Sequence, residues 1–230
     1  MTRQPVFVLR PEPGLTATLV AAFGLGIEAR GMPLGTVEAV PWRAPAKPFD
    51  GLLVGSANAI RHAGGELQKL LHLPVYCVGE ATAQAAREAG LTVERAGTGG
   101  LQAVLDAIEG SALALLRLAG ERHLVLTPPP GVSIDRQIVY RTVDRAMTSA
   151  QASALAHGAT VLLHSGETAA HFARECDRLG VDRTQVTLIA MAPRIARMAG
   201  QGWRALHTAP APNDAALLEM AAELCQKRSG

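Results

Sequence analysis

Asp50-Gly51-Leu52-Leu53-Val54-Gly55-Ser56-Ala57-Asn58-Ala59-Ile60 is a short aliphatic run that ends on Gly-Ser and passes straight into a stretch of helical period. Asp50–Gly55 reads as a strand, and Ser56 opens a helix over Ala57–Leu71. The same unit recurs in both directions. Upstream, Pro5–Leu9 is a strand ahead of a helix reaching about Arg30, with Leu15, Leu19, Ala22 and Phe23 on one face. Leu34–Val40 is extended and precedes a proline-rich break, Pro41–Pro48. Downstream, strands Pro74–Val78 and Leu91–Arg95 lead into helices Glu80–Ala89 and Thr98–Glu109. Ala112–Leu118 is a strand or a helical extension, Gly120–Asp135 is irregular, and Gln137–Val143 alternates as a strand. The last third gives helix Thr148–His157, strand Thr160–His164, helix Glu167–Leu179 and strand Val186–Ala190. Helix Pro193–Gly200, strand Trp203–Thr208 and helix Asn213–Lys227 complete it.

Strands alternating with helices are the pattern of α/β architecture with parallel sheets. For 230 residues there are too many such units for one compact sheet. Two smaller doubly wound domains are expected instead, with one crossing near Pro41–Pro48. Each should form its ligand surface at the carboxyl ends of its strands.

Composition narrows the function. Apolar residues at 48% and charged residues at 18% exclude a disordered chain. Aromatics at 3% argue against a platform that stacks bases, and a net charge of +2 is too weak a field for non-specific nucleic-acid binding. Cys77, Cys176 and Cys225 are odd in number and far apart, so neither a disulfide framework nor a zinc site is expected. No apolar run is long enough to span a membrane, and the first residues do not read as a secretory signal. A cytoplasmic protein is the expectation.

Signatures of common catalytic sites are missing: no GxxxxGK[ST], no HExxH and no GxSxG. Gly24-Leu25-Gly26-Ile27-Glu28-Ala29 fits GxGxxA, but at the tail of a helical run rather than between a strand and a helix start. The histidines do not cluster; His164 alone ends a strand, where a structural role outweighs a catalytic one. What recurs is small polar residues at strand-to-helix turns. These are Gly55-Ser56-Ala57-Asn58, Gly79-Glu80-Ala81-Thr82, Gly97-Thr98-Gly99-Gly100 and His164-Ser165-Gly166-Glu167. Any one of them is what ordinary capping requires. Four, divided between two domains and facing a common cleft, point to an anionic small molecule held by main-chain N–H groups.

Several of these stretches resemble the uroporphyrinogen-III synthase family. They are Val8–Gly14, Phe49–Ile60, Pro74–Ala83, Leu116-Arg117-Leu118-Ala119-Gly120-Glu121-Arg122, Val139-Tyr140-Arg141, Leu163–Glu167, and Ile189–Pro193 followed by Gly202-Trp203. The likeness implies two doubly wound, flavodoxin-like parallel-sheet domains joined by a two-stranded ladder. The terminal domain would combine 1–33 with 144–230, the inserted domain would be 41–136, and the ladder strands 34–40 and 137–143. It further implies an enzyme that takes hydroxymethylbilane, releases water and closes the macrocycle while inverting the last pyrrole ring. No metal or organic cofactor is implied, no nucleic-acid or membrane partner, and a monomer.

The resemblance makes Tyr140 the candidate proton donor to the departing hydroxyl, with a core or interface tyrosine as the alternative. It makes Ser56, Ala57, Thr82, Ser165 and Gly166 carboxylate-binding positions, with Arg10 either joining them or anchoring the first turn. Three positions depart from the family's pattern. Arg194-Ile195 follows Pro193 where a hydroxyl residue is usual, so Arg194 is expected to take over a carboxylate contact. The stretch between Arg122 and Val139 has no room for the family's helix, and His164 replaces a small residue. The alternative function is a degenerate relative that binds a tetrapyrrole or another anion without turnover.

Overall fold

The computed structural model describes residues 4–108 and 112–227. β1 (Val6–Val8) leads to α1 (Gly14–Gly24) and a short strand, β2 (Ala29–Gly31). β3 (Gly35–Ala39), β4 (Gly51–Val54) and α2 (Ala57–Arg61) follow, then a 3-10 segment at Gly64–Leu70. Next come β5 (Val75–Val78), α3 (Glu80–Glu88), β6 (Val93–Gly97), α4 (Leu101–Asp106), β7 (Leu113–Gly120) and β8 (Val132–Asp144). The chain ends through α5 (Ser149–Leu155), β9 (Ala159–Leu163), α6 (Gly166–Arg178), β10 (Val186–Ala190), α7 (Pro193–Ala199), β11 (Ala205–Thr208) and α8 (Asp214–Lys227).

These elements fall into two compact units, one of residues up to Thr36 with those from Val143 onward, the other Val37–Thr142. In the first, a five-stranded parallel sheet runs β11-β10-β9-β1-β2. Counted along the chain this is the 2-1-3-4-5 order of flavodoxin-like sheets. β1, β9 and β10 are buried throughout, which is why they read as unbroken aliphatic runs. Phe7, Leu9, Val161 and Phe172 core one face, and Val6, Val8, Leu162 and Leu217 the other.

The second sheet runs β3-β8-β7-β4-β5-β6. Its parallel strands, β4 to β8, lie in the doubly wound order 3-2-1-4-5. β3 runs antiparallel to β8: Val40 N–H donates to the Val139 carbonyl, and Arg141 pairs with Glu38. The ladder is therefore the edge of a larger sheet. Leu52, Val54, Leu116 and Leu118 face one core, and Leu53, Leu105 and Leu115 the other.

Several boundaries differ from the sequence reading. The first helix stops at Gly24, not Arg30; the chain turns at Gly26 (φ 71°), and Ala29–Gly31 pairs with β1. The expected Ala57–Leu71 helix ends at Arg61, because Gly64 at φ 62° leaves helical geometry. Positive φ at Gly99 and Gly100 delays α4 to Leu101, and Glu109 lies outside the described residues. Ala112–Leu118 resolves as a strand. β8 begins at Val132 rather than Gln137, so the irregular crossover is only Glu121–Gly131, and it holds no helix. No helix among the described residues is long and apolar enough to cross a membrane.

Candidate active site

In doubly wound sheets, ligands bind outside the carboxyl ends of the strands where the strand order reverses. That point lies between β4 and β7 in the six-stranded sheet and between β1 and β9 in the five-stranded one. The two are built very differently.

Beyond β4 and β7 lies a cavity of about 240 Å3, walled by Gly55, Ser56, Arg117, Gly120, His123 and Tyr140 among others. Tyr140 comes from β8 and lies over the backbone of Gly120. A Cβ there would sit 2.6 Å from Tyr140 Cζ, so a glycine is needed for the ring to lie flat against the strand. The ring is half-buried against Val139's core and tilts 35° to His62, with centroids 6.3 Å apart. Its hydroxyl makes no hydrogen bond to the described residues. Burial, with Arg61 adding, lowers the His62 pKa. His123 Nδ1 lies 2.8 Å from the Gly120 carbonyl and folds the start of the crossover back onto the strand end.

Ser56 is the N-cap of α2, and its hydroxyl accepts from Asn58 N–H at 3.2 Å, leaving Ala57 as the first helical residue. Thr82 is buried in the first turn of α3, and its N–H donates to the Gly79 carbonyl at 3.1 Å. Arg117, a residue for which the sequence suggests no role, is buried in the cavity wall, where its Nη1 donates to the Leu124 carbonyl at 2.8 Å. Burial, with Arg136 adding, pulls its pKa down against the opposite influence of Tyr140.

At the other reversal point the space is closed by the protein's own charges. Arg10, just after β1, donates to Asp214 at 2.9 Å and to Thr18 at 3.2 Å, and it lies against Gly14 where any Cβ would collide with it. His164, just after β9, has a buried side chain with Nε2 3.0 Å from Asp214 Oδ1. Burial lowers the His164 pKa although Asp214 works against it. Burial also opposes charge on Asp214, but His164, Arg10 and Thr18 outweigh it and hold that carboxyl low. Nothing in the sequence points to Asp214, which lies 204 residues from Arg10.

Ser165 caps α6 by accepting from Thr168 N–H at 3.1 Å, and Gly166 is buried under Met198. Arg194 is exposed and reaches Glu167 at 3.3 Å. Thus Ser56 and Tyr140 share one cavity, whereas Ser165, Gly166 and Arg194 gather at the start of α6 and Arg10 is engaged with Asp214. Cys77 and Cys176 are buried free thiols, and burial pushes Cys176 up to about 12, so neither offers a thiolate. Arg117 is nonetheless legible in principle, as a lone cation inside Leu115-Leu116-Arg117-Leu118.

A family model described as uroporphyrinogen-III synthase HemD matches residues 25–219. The chain belongs to the uroporphyrinogen-III synthase family. Members are cofactor-independent lyases of porphyrin biosynthesis with a small tetrapyrrole substrate. Among solved structures, the chain is similar to uroporphyrinogen-III synthetase from Helicobacter pylori 26695 at 17% identity and a TM-score of 0.64. That match covers 97% of this chain and 100% of the other. A mutant uroporphyrinogen III synthase from the extremely thermophilic bacterium Thermus thermophilus matches at 16% identity and a TM-score of 0.57, covering 97% and 99%. At such identities the likeness extends to the fold. No characterised protein sequence matches the chain.

Proposed function

We propose that this chain closes hydroxymethylbilane to uroporphyrinogen III, with the cavity beyond β4 and β7 as the site where the hydroxyl leaves. The substrate carries eight carboxylates, and its closure without enzyme gives the uninverted isomer. Catalysis is then a matter of holding the chain so that the substituted carbon of the last ring attacks. Tyr140 gives its phenolic proton to the departing hydroxyl, which leaves as water. The proton released when the macrocycle closes returns to the phenolate, so the net change is loss of one water.

The observation that carries this reading is Tyr140's unbonded hydroxyl in the wall of a cavity at the sheet's reversal point. Ser56, Ala57 and Thr82 are this unit's positions for carboxylate arms. In the other unit they are the main-chain N–H groups at Ser165 and Gly166 together with Arg194, while Arg10, held by Asp214 and Thr18, anchors the first turn. All come from one chain, in keeping with a cytoplasmic monomer. The test is incubation with freshly generated hydroxymethylbilane and chromatographic separation of the isomers. Isomer III is expected; isomer I alone, at the uncatalysed rate, overturns the reading.

A further inference from the structure

Arg117 lies in β7 in register with Leu53 of β4 and Arg136 of β8. It is only 7% exposed, yet it lines the cavity that holds Tyr140. Of its five N–H groups, one on Nη1 goes to the Leu124 carbonyl, and Nε is buried without a partner. No carboxylate pairs with it among the described residues, and its charged neighbour in register, Arg136, has the same sign. A buried cation without a counter-charge is strongly unfavourable, and one neutral carbonyl does not compensate it. An apolar residue at this strand position would fill the same layer as Leu115 without that cost. The guanidinium's planar fork, by contrast, matches a carboxylate with two parallel hydrogen bonds.

We propose that Arg117 is a substrate-binding residue that clamps one acetate or propionate arm of the tetrapyrrole inside this cavity. This rests on the reading that the cavity takes the substrate, and it adds the group that supplies the counter-charge. The clamp fixes the bound chain beside Tyr140. The competing role for Arg117 is bracing, in which it holds the helix-less crossover down through the Leu124 carbonyl.

Steady-state kinetics and thermal unfolding of Arg117→Gln and Arg117→Lys separate the two. A charge-assisted hydrogen bond at the carboxylate predicts a KM for hydroxymethylbilane raised about 10- to 100-fold by Arg117→Gln. kcat should change less, and Arg117→Lys should recover part of the loss. A lowered Tm with KM at the wild-type value means a brace and overturns the clamp. Should either variant fail to fold, wild-type protein still gives an answer through the 15N resonance of Arg117 Nε during titration with citrate and with uroporphyrinogen III. Saturable shifts with both probes support the clamp, and an unmoved resonance overturns it. Citrate-induced shifts in a protein that makes no isomer III leave the anion site standing and defeat the functional reading alone.

Discussion

The two sheets reverse their strand order at equivalent places, and each puts an arginine there, but among the described residues only one supplies a carboxylate to meet it. At the five-stranded sheet, Asp214 answers both Arg10 and His164, with Thr18 adding a fourth polar group. At the six-stranded sheet, Arg117 is more deeply buried than Arg10 and meets a single neutral carbonyl. A protein that neutralises its own cation has built a structural joint. One that leaves the cation bare has left the counter-charge to something that binds. The same contrast holds for hydroxyls, since Ser165 is fully used in capping α6 whereas the Tyr140 hydroxyl is uncommitted.

The contrast breaks most visibly at Tyr140. Tyr140→Phe keeps the ring over Gly120 and removes one proton donor, and general-acid assistance is typically worth ~10²–10⁴-fold. The hydroxyl leaves readily even in water, so a fall in kcat of about 10²-fold is expected, with an unchanged unfolding midpoint. Turnover at the wild-type rate would show that the hydroxyl is dispensable. Gly120→Ala reaches the same group from beneath, because its Cβ lies 2.6–2.9 Å from Tyr140 Cζ, Cε2 and Oη and has to displace the ring. Its kcat should fall about tenfold or more with the tyrosine still present.

Asp214→Asn tests the closed side. It leaves Arg10 and His164 without their shared carboxylate, and breaking a buried pair costs about 3–5 kcal/mol. Asp214 and Arg10 are each about one-third exposed, so about 2 kcal/mol is expected from denaturant titration. A loss well below 1 kcal/mol would mean that this cluster is not the joint described.

Acid stability should fall in two windows. His164 has a folded pKa below its ordinary 6.5, so below that pH the unfolded chain takes up a proton the folded one resists. Stability then declines as pH drops from about 6.5. Glu175, held to about 2 chiefly by Arg178, with Met147 N–H adding, contributes stability above 4.5 that is lost as pH falls toward 2. Thermal midpoints across pH 7 to 3 check this, and His164→Asn should remove the upper window while the Glu175 contribution remains.

Much of this contrast can be read from the sequence, and what cannot has physical causes. Strands buried on both faces show up as aliphatic runs, and Ser56 and Ser165 show up as caps because the signal is local. β2 is three residues, Ala-Arg-Gly, on an exposed edge and carries no apolar pattern. The start of β8 is obscured by the prolines ahead of it, although Val132 and Ile134 pack against the core. The Arg10–Asp214 joint is made by residues at opposite ends of the chain, and no spacing rule links them. Arg117 stands out as a charge among leucines, but only its burial and lack of a carboxylate give it a role.

The smallest effect is expected at Arg194. Its partner Glu167 already meets its charge and both are exposed, so Arg194→Ala should raise KM several-fold at most. An effect as large as that of Arg117→Gln would move the main carboxylate clamp to the other sheet.

The most direct test of the claim that substrate is held at the unneutralised sheet is a side-by-side isomer analysis at limiting hydroxymethylbilane. The wild-type protein should give isomer III. Arg117→Gln, folded but weakly binding, should let substrate escape and accumulate isomer I, while Asp214→Asn, assayed below its unfolding midpoint, should still favour isomer III. Isomer III from Arg117→Gln at the wild-type proportion, with isomer I accumulating in Asp214→Asn instead, would contradict the account.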